Sequence, residues 1–106
     1  MKLSPNFSLA ELTKSQTAER KGITNMPSAD AIHNLVLLAE NILQPVRNEF
    51  GTFMVSSGYR SPELSIAIGS SKDSQHCTGS AADFEVANVD NYVLAQWIRD
   101  NLVFDQ

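Results

Sequence analysis

The chain has 106 residues, 42% of them hydrophobic and 19% charged, a balance that supports one hydrophobic core and leaves no room for a second. Lys and Arg number eight against twelve Asp and Glu, for a formal charge of −4, and no basic run alternates with aromatics, so no nucleic-acid partner is expected. Apolar stretches fall short of the roughly 20 residues that cross a bilayer, and Met1-Lys2-Leu3-Ser4-Pro5-Asn6 lacks the apolar centre of a secretory signal, so neither a membrane span nor self-directed export is expected.

Taken in chain order, Ser8-Leu9-Ala10-Glu11 has the form of a capping box and predicts a short helix, with Phe7 placed as its hydrophobic staple. The charged stretch from Lys14 to Lys21, closed by Gly22, predicts a second short turn and then a connection to Met26-Pro27. Ser28 is positioned to cap a long helix whose apolar residues Ile32, Leu35, Leu38, Ile42, Leu43 and Val46 recur mainly at helical spacing. Pro45 lies inside that pattern and must kink the helix or end its regular hydrogen bonding, and Gly51 marks the stop. Thr52–Ser57 is rich in β-formers and predicts a strand, followed by the loop Gly58-Tyr59-Arg60-Ser61-Pro62 and a short helix from Pro62 to about Ile68. After the polar loop Gly69–Ser74, Ala81–Val86 predicts a second strand carrying Asp83. Asn88 or Asp90 then caps a last helix that buries Val93, Leu94, Trp97, Ile98 and Leu102, and Val103–Gln106 turns extended.

Chemistry concentrates in Ser74-Gln75-His76-Cys77-Thr78-Gly79-Ser80-Ala81-Ala82-Asp83. Imidazole and carboxylate are good zinc donors, and the intervening Gly79 permits a positive φ that turns both toward one point. On spacing alone, a capped loop is the commoner explanation of such a pair. The other metal donors compete poorly. His33 sits between apolar positions of the long helix, which suits a core-edge or surface residue. Cys77, the single cysteine and so without an internal disulfide partner, is adjacent to His76 and points away from it. Glu85 shares a strand face with Asp83 and is the weaker candidate for ligand or base.

This stretch matches, position by position, the S-x-H-x-x-G-x-A-x-D signature of the zinc D-Ala-D-Ala peptidases, and Ser57-Gly58-Tyr59-Arg60-Ser61 resembles their S-G-Y-R-S element. The two occur in the family's order. Asn6-Phe7-Ser8-Leu9-Ala10-Glu11-Leu12, Leu43-Gln44-Pro45-Val46-Arg47 and Phe104-Asp105-Gln106 further resemble a phage or prophage branch, so the likeness to the D-Ala-D-Ala carboxypeptidase and phage endolysin family spans nearly the whole chain.

The resemblance implies an α+β fold, with N-terminal helices packed on a small, mainly antiparallel sheet of the Hedgehog and DD-peptidase type, incomplete at its C-terminal end. It implies a single domain over residues 1–106, a Zn2+ cofactor held by His76 and Asp83, and a catalytic Arg60 that binds a substrate carboxylate or developing oxyanion. Ser74 and Gln75 would line the pocket, support His76 or stabilise the loop. The implied activity is hydrolysis of peptidoglycan stem peptides, as a carboxypeptidase or an endolysin-type endopeptidase. The family's third ligand, a His, and its acidic base belong to a later segment than Gln106. Three expectations follow: a truncated or interrupted product or part of a longer active chain, an inactive module that binds cell wall or a phage component, or a site whose missing ligand a neighbouring subunit supplies. An open sheet edge also raises the prospect of a homodimer. Synthesis in the bacterial cytoplasm, with release to the wall by another route, completes the implied picture.

Overall fold

The computed structural model describes residues 1–102. The extended reading of Val103–Gln106, and the family-like Phe104-Asp105-Gln106, lie outside the described residues. The architecture is α+β: two antiparallel two-stranded sheets, one formed by β1 (Lys2–Ser4) and β2 (Phe7–Ser8), the other by β3 (Met54–Ser57) and β4 (Asp83–Glu85), among short helices and one long one. The helices α1 (Leu9–Thr13) and α2 (Gln16–Lys21) start at Ser8 and Ser15, whose hydroxyls accept from Glu11 N and Ala18 N. The first hairpin has no counterpart among the elements that the sequence predicts. Its strands hold only three residues and two, too few to display alternation.

The long helix begins at Ser28 as expected, with the Ser28 hydroxyl accepting from Ala31 N. It runs as α3 (Ala29–Leu38), widens into a π turn over Ala39–Leu43, and resumes as α4 (Gln44–Phe50) up to Gly51. The widening answers the conflict at Pro45, which has no amide to donate and whose ring crowds the preceding turn. Within it the Gln44 amide reaches back five residues to the Ala39 carbonyl. Leu35, Leu43 and Val46 are fully buried, as are Ala31 and Ala39 beside them, while Ile32, Leu38 and Ile42 are only half-buried. Periodicity found the face; the small alanines mark where other chain segments approach it.

Phe53, just ahead of β3, joins the two sheets. Its ring lies 5.4 Å from that of Phe7 and stacks at 4.8 Å on that of Phe84. After α5 (Pro62–Ala67), the last helix, α6 (Asn91–Asn101), is capped by Asp90 and docks through buried Leu94 and an edge-on contact of Trp97 with Phe50 at 5.3 Å. Val93, expected on its buried face, is 51% exposed, because the docked face is centred on Leu94, Trp97 and Ile98. Asn88, the other candidate cap, instead takes a left-handed turn at φ 66° before the helix.

Gln44 ties the first hairpin to the long helix. Its side-chain carbonyl accepts from Ser4 Oγ and Asn6 N, both at 2.9 Å, and its amide donates to Asn6 Oδ1 at 2.8 Å and Asn48 Oδ1 at 3.0 Å. All four of its hydrogen-bonding positions are thereby used in a nearly dry setting. Gln44→Met, which keeps the length but strands these partners, is expected to lower the unfolding free energy by about 2–4 kcal/mol in urea denaturation.

Candidate metal centre

His76 and Asp83 are brought together from two differently built segments. His76 lies in a single 3-10 turn, Gln75–Thr78, opened by Ser74, whose hydroxyl accepts from the His76 amide at 3.2 Å. The turn is clamped to α3, where Asn34 donates to the Thr78 carbonyl at 2.9 Å. Gly79 closes it with φ 79°, and a β-carbon there would run into the Ala31 carbonyl of α3. The positive φ expected of this glycine is present, and the close approach to the helix adds a second reason for it. Asp83 then opens β4, opposite Ser57 of β3, with Ser56 Oγ donating to its backbone carbonyl at 2.9 Å.

The His76 ring is buried, and its Nδ1 lies 2.7 Å from the carbonyl oxygen of Gly58. A carbonyl only accepts, so Nδ1 carries the proton and, in the neutral ring, Nε2 presents its lone pair. That Nε2 lies 3.5 Å from Asp83 Oδ2. The His76 side chain is 11% exposed and that of Asp83 64%, so the pair has a dry side and an open side. Two donors about 2.0–2.1 Å from a tetrahedral zinc ion stand about 3.3–3.4 Å apart, so this spacing fits two ligands of one ion. Among the described residues, no third His, Cys, Asp or Glu joins them. His33 is exposed on α3, Glu85 is exposed on β4, and the Cys77 thiol is directed at the Ser71 carbonyl, 3.9 Å away.

Gly58 also needs to be glycine: a β-carbon would collide with the Leu12 carbonyl, to which the next amide, that of Tyr59, donates at 2.7 Å. Arg60 follows, its amide donating to the His76 carbonyl at 3.1 Å. Its guanidinium has no carboxylate within 4.0 Å among the described residues, and its Nε is buried without a partner there. Arg60 and Tyr59 line a cleft of about 370 Å³ between Lys14–Thr17 and β3, and Asp83 and Glu85 line a second concavity. The two meet at Met54 and Ser56. Burial, helped by the nearby Cys77, pushes the Tyr59 phenol above its ordinary value of 10.0, so it stays protonated. Gln75 is exposed, and its carbonyl accepts from the Ser80 amide and the Thr78 hydroxyl, both at 3.0 Å.

Asn25 is the positioning residue that sequence reasoning missed. Its amide donates to the Thr13 carbonyl at 2.8 Å and the Tyr59 carbonyl at 3.1 Å, and its Oδ1 accepts from the Ser61 amide at 2.7 Å. It thus grips the backbone on both sides of Arg60. An Asn shortly before Pro27 in a polar connection carries no periodic signal, so nothing local marks it. Asn25→Asp, which sets a carboxylate against two carbonyls, is expected to lower the unfolding free energy by about 2–3 kcal/mol in urea denaturation. A change below about 0.5 kcal/mol would remove Asn25 from this role.

The family comparison agrees with the residues gathered here. The model of the peptidase M15 family matches residues 5–106. No curated protein and no solved structure matches the chain. With the match running through both the Gly58-Tyr59-Arg60 loop and the His76–Asp83 segment, the chain belongs to the peptidase M15 family.

Proposed function

We propose that this is the metal-binding part of a zinc peptidase that hydrolyses peptidoglycan stem peptides, with His76 and Asp83 as two of the zinc ligands. The observation that carries the reading is the His76 ring: Nδ1 is engaged by the Gly58 carbonyl, and Nε2 is left facing Asp83 Oδ2 across 3.5 Å. That is the arrangement by which a supporting hydrogen bond sets the tautomer and aim of a ligating histidine. Family membership supports the choice of zinc and of peptide hydrolysis. When bound, zinc supplies a Lewis acid for the scissile carbonyl and lowers the pKa of water to about 7.

In this reading the chain's own residues bind and orient. Arg60, lacking an ion-pair partner among the described residues, holds the peptide carboxylate or the oxygen that gains charge. Ser74 caps the turn that presents His76, and Gln75 is exposed beside it. The third protein ligand and the general base come from outside residues 1–102. Cleavage is of the carboxypeptidase or the endolysin-type endopeptidase kind, according to how the leaving-group side is closed.

A second reading, an inactive module that recognises cell-wall peptide or a phage component, draws support from one observation: no third metal-donor side chain joins the pair among the described residues. Zinc analysis of the purified protein and its His76→Ala and Asp83→Ala variants, after dialysis against a mild chelator, separates the two. The peptidase reading predicts bound zinc in the parent and an affinity loss of more than about tenfold in each variant. Equal, negligible zinc in all three proteins would contradict it and favour the binding module.

A further inference from the structure

The cleft beside β3 has a second property that the metal pair does not use. All four residues of the strand, Met54, Val55, Ser56 and Ser57, contribute to its wall. Successive strand side chains point to opposite faces, so a groove touching all four runs along the backbone edge. β3 pairs with β4 on one side only, and among the described residues Met54–Ser57 make no backbone hydrogen bond on the other. Such an edge is a template for one more extended segment.

Charge narrows the occupant. Among the described residues, the charged side chains that line the cleft are Lys14 and Arg60, both cations in a chain whose net charge is −4. Neither has a carboxylate within 4.0 Å among the described residues. Lys14 is exposed at the end of α1. A cationic or uncharged peptide would leave both ammonium and guanidinium unanswered, whereas a peptide with two carboxylates answers each with one.

We propose that the cleft takes an extended peptide as an added strand along the outer edge of β3, and that Lys14 selects peptides bearing a second carboxylate besides the one held by Arg60. This rests on the peptidase reading for the choice of a peptide and for the role of Arg60. The selection adds specificity at the rim, where an exposed ion pair contributes modestly and is weakened by salt.

The test uses the 15N-labelled chain and its Lys14→Gln variant, an exposed change that leaves the core intact. The probes are acetylated peptides ending in D-Ala-D-Ala with a free carboxylate, carrying Glu at one of three successive positions before that end, and their Gln counterparts. Binding is expected to shift the amide signals of Met54–Ser57. Lys14→Gln is expected to weaken the best Glu peptide by about three- to fivefold and to leave its Gln counterpart unchanged. An equal loss for both peptides, no loss for either, or shifts confined to other surfaces would overturn the proposal. Self-association that covers the same amides without peptide would overturn it too, making a second copy of the chain the occupant. Zinc content measured on the same samples separates this proposal from the metal reading. Charge-selective binding without zinc uptake supports the Lys14 assignment and counts against the metal; zinc uptake without discrimination at Lys14 overturns the assignment alone.

Discussion

One buried hydrogen bond organises the site: His76 Nδ1 to the Gly58 carbonyl, 2.7 Å long, between residues eighteen apart in sequence. It fixes which ring nitrogen carries the proton and therefore which one faces Asp83. It also joins two segments that would otherwise be independent loops, the strand exit at Gly58 and the turn at Gln75–Thr78. The Arg60 amide, donating to the His76 carbonyl, makes a second link between the same segments. A metal-ligating imidazole on a freely rotating side chain would lose orientational entropy on binding; here the ring is already held, with the His76 side chain buried and that of Asp83 open to solvent.

The rest of the fold makes that bond geometrically available. Gly58 lies so close to α1 that any side chain would strike the Leu12 carbonyl, and Gly79 lies just as close to the Ala31 carbonyl of α3. Two helices thus act as walls against which both halves of the site are pressed. Asn25 closes the arrangement by holding the carbonyl before Arg60 and the amide after it. The π turn ahead of Pro45 and the saturated Gln44 serve the same end at a greater distance, since they seat the first hairpin and so the start of α1.

Much of this was legible in the sequence where one residue acts on its own neighbours. Ser8, Ser28 and Asp90 as caps, Pro45 as an interruption and Gly51 as a stop are local effects, and they appear where their chemistry puts them. The strand bearing Asp83 and the positive φ at Gly79 were likewise readable from composition and spacing. The failures are non-local. Nothing near Gly58 announces that its carbonyl will face an imidazole, because a backbone oxygen has no residue type. The bonds of Asn25 and Gln44 reach more than thirty residues away, to Tyr59 and Ser61 from one and to Ser4 and Asn6 from the other. Val93 fitted the helical pattern but lies beside the docked face, since the pattern gives a stripe and the partner surface decides its centre. The metal reading of His76 and Asp83 came from resemblance to the family, since on spacing alone a capped loop is the commoner explanation.

The central claim is that His76 is held with Nδ1 protonated and Nε2 free to bind a metal beside Asp83. Long-range 15N–1H spectra of the imidazole, recorded before and after addition of zinc, test it directly. The account predicts a proton on Nδ1 of the neutral ring, an unprotonated Nε2, and a zinc-induced shift of the Nε2 resonance that is absent in Asp83→Ala at the same zinc concentration. A proton on Nε2, or a ring whose nitrogens ignore zinc, would contradict it.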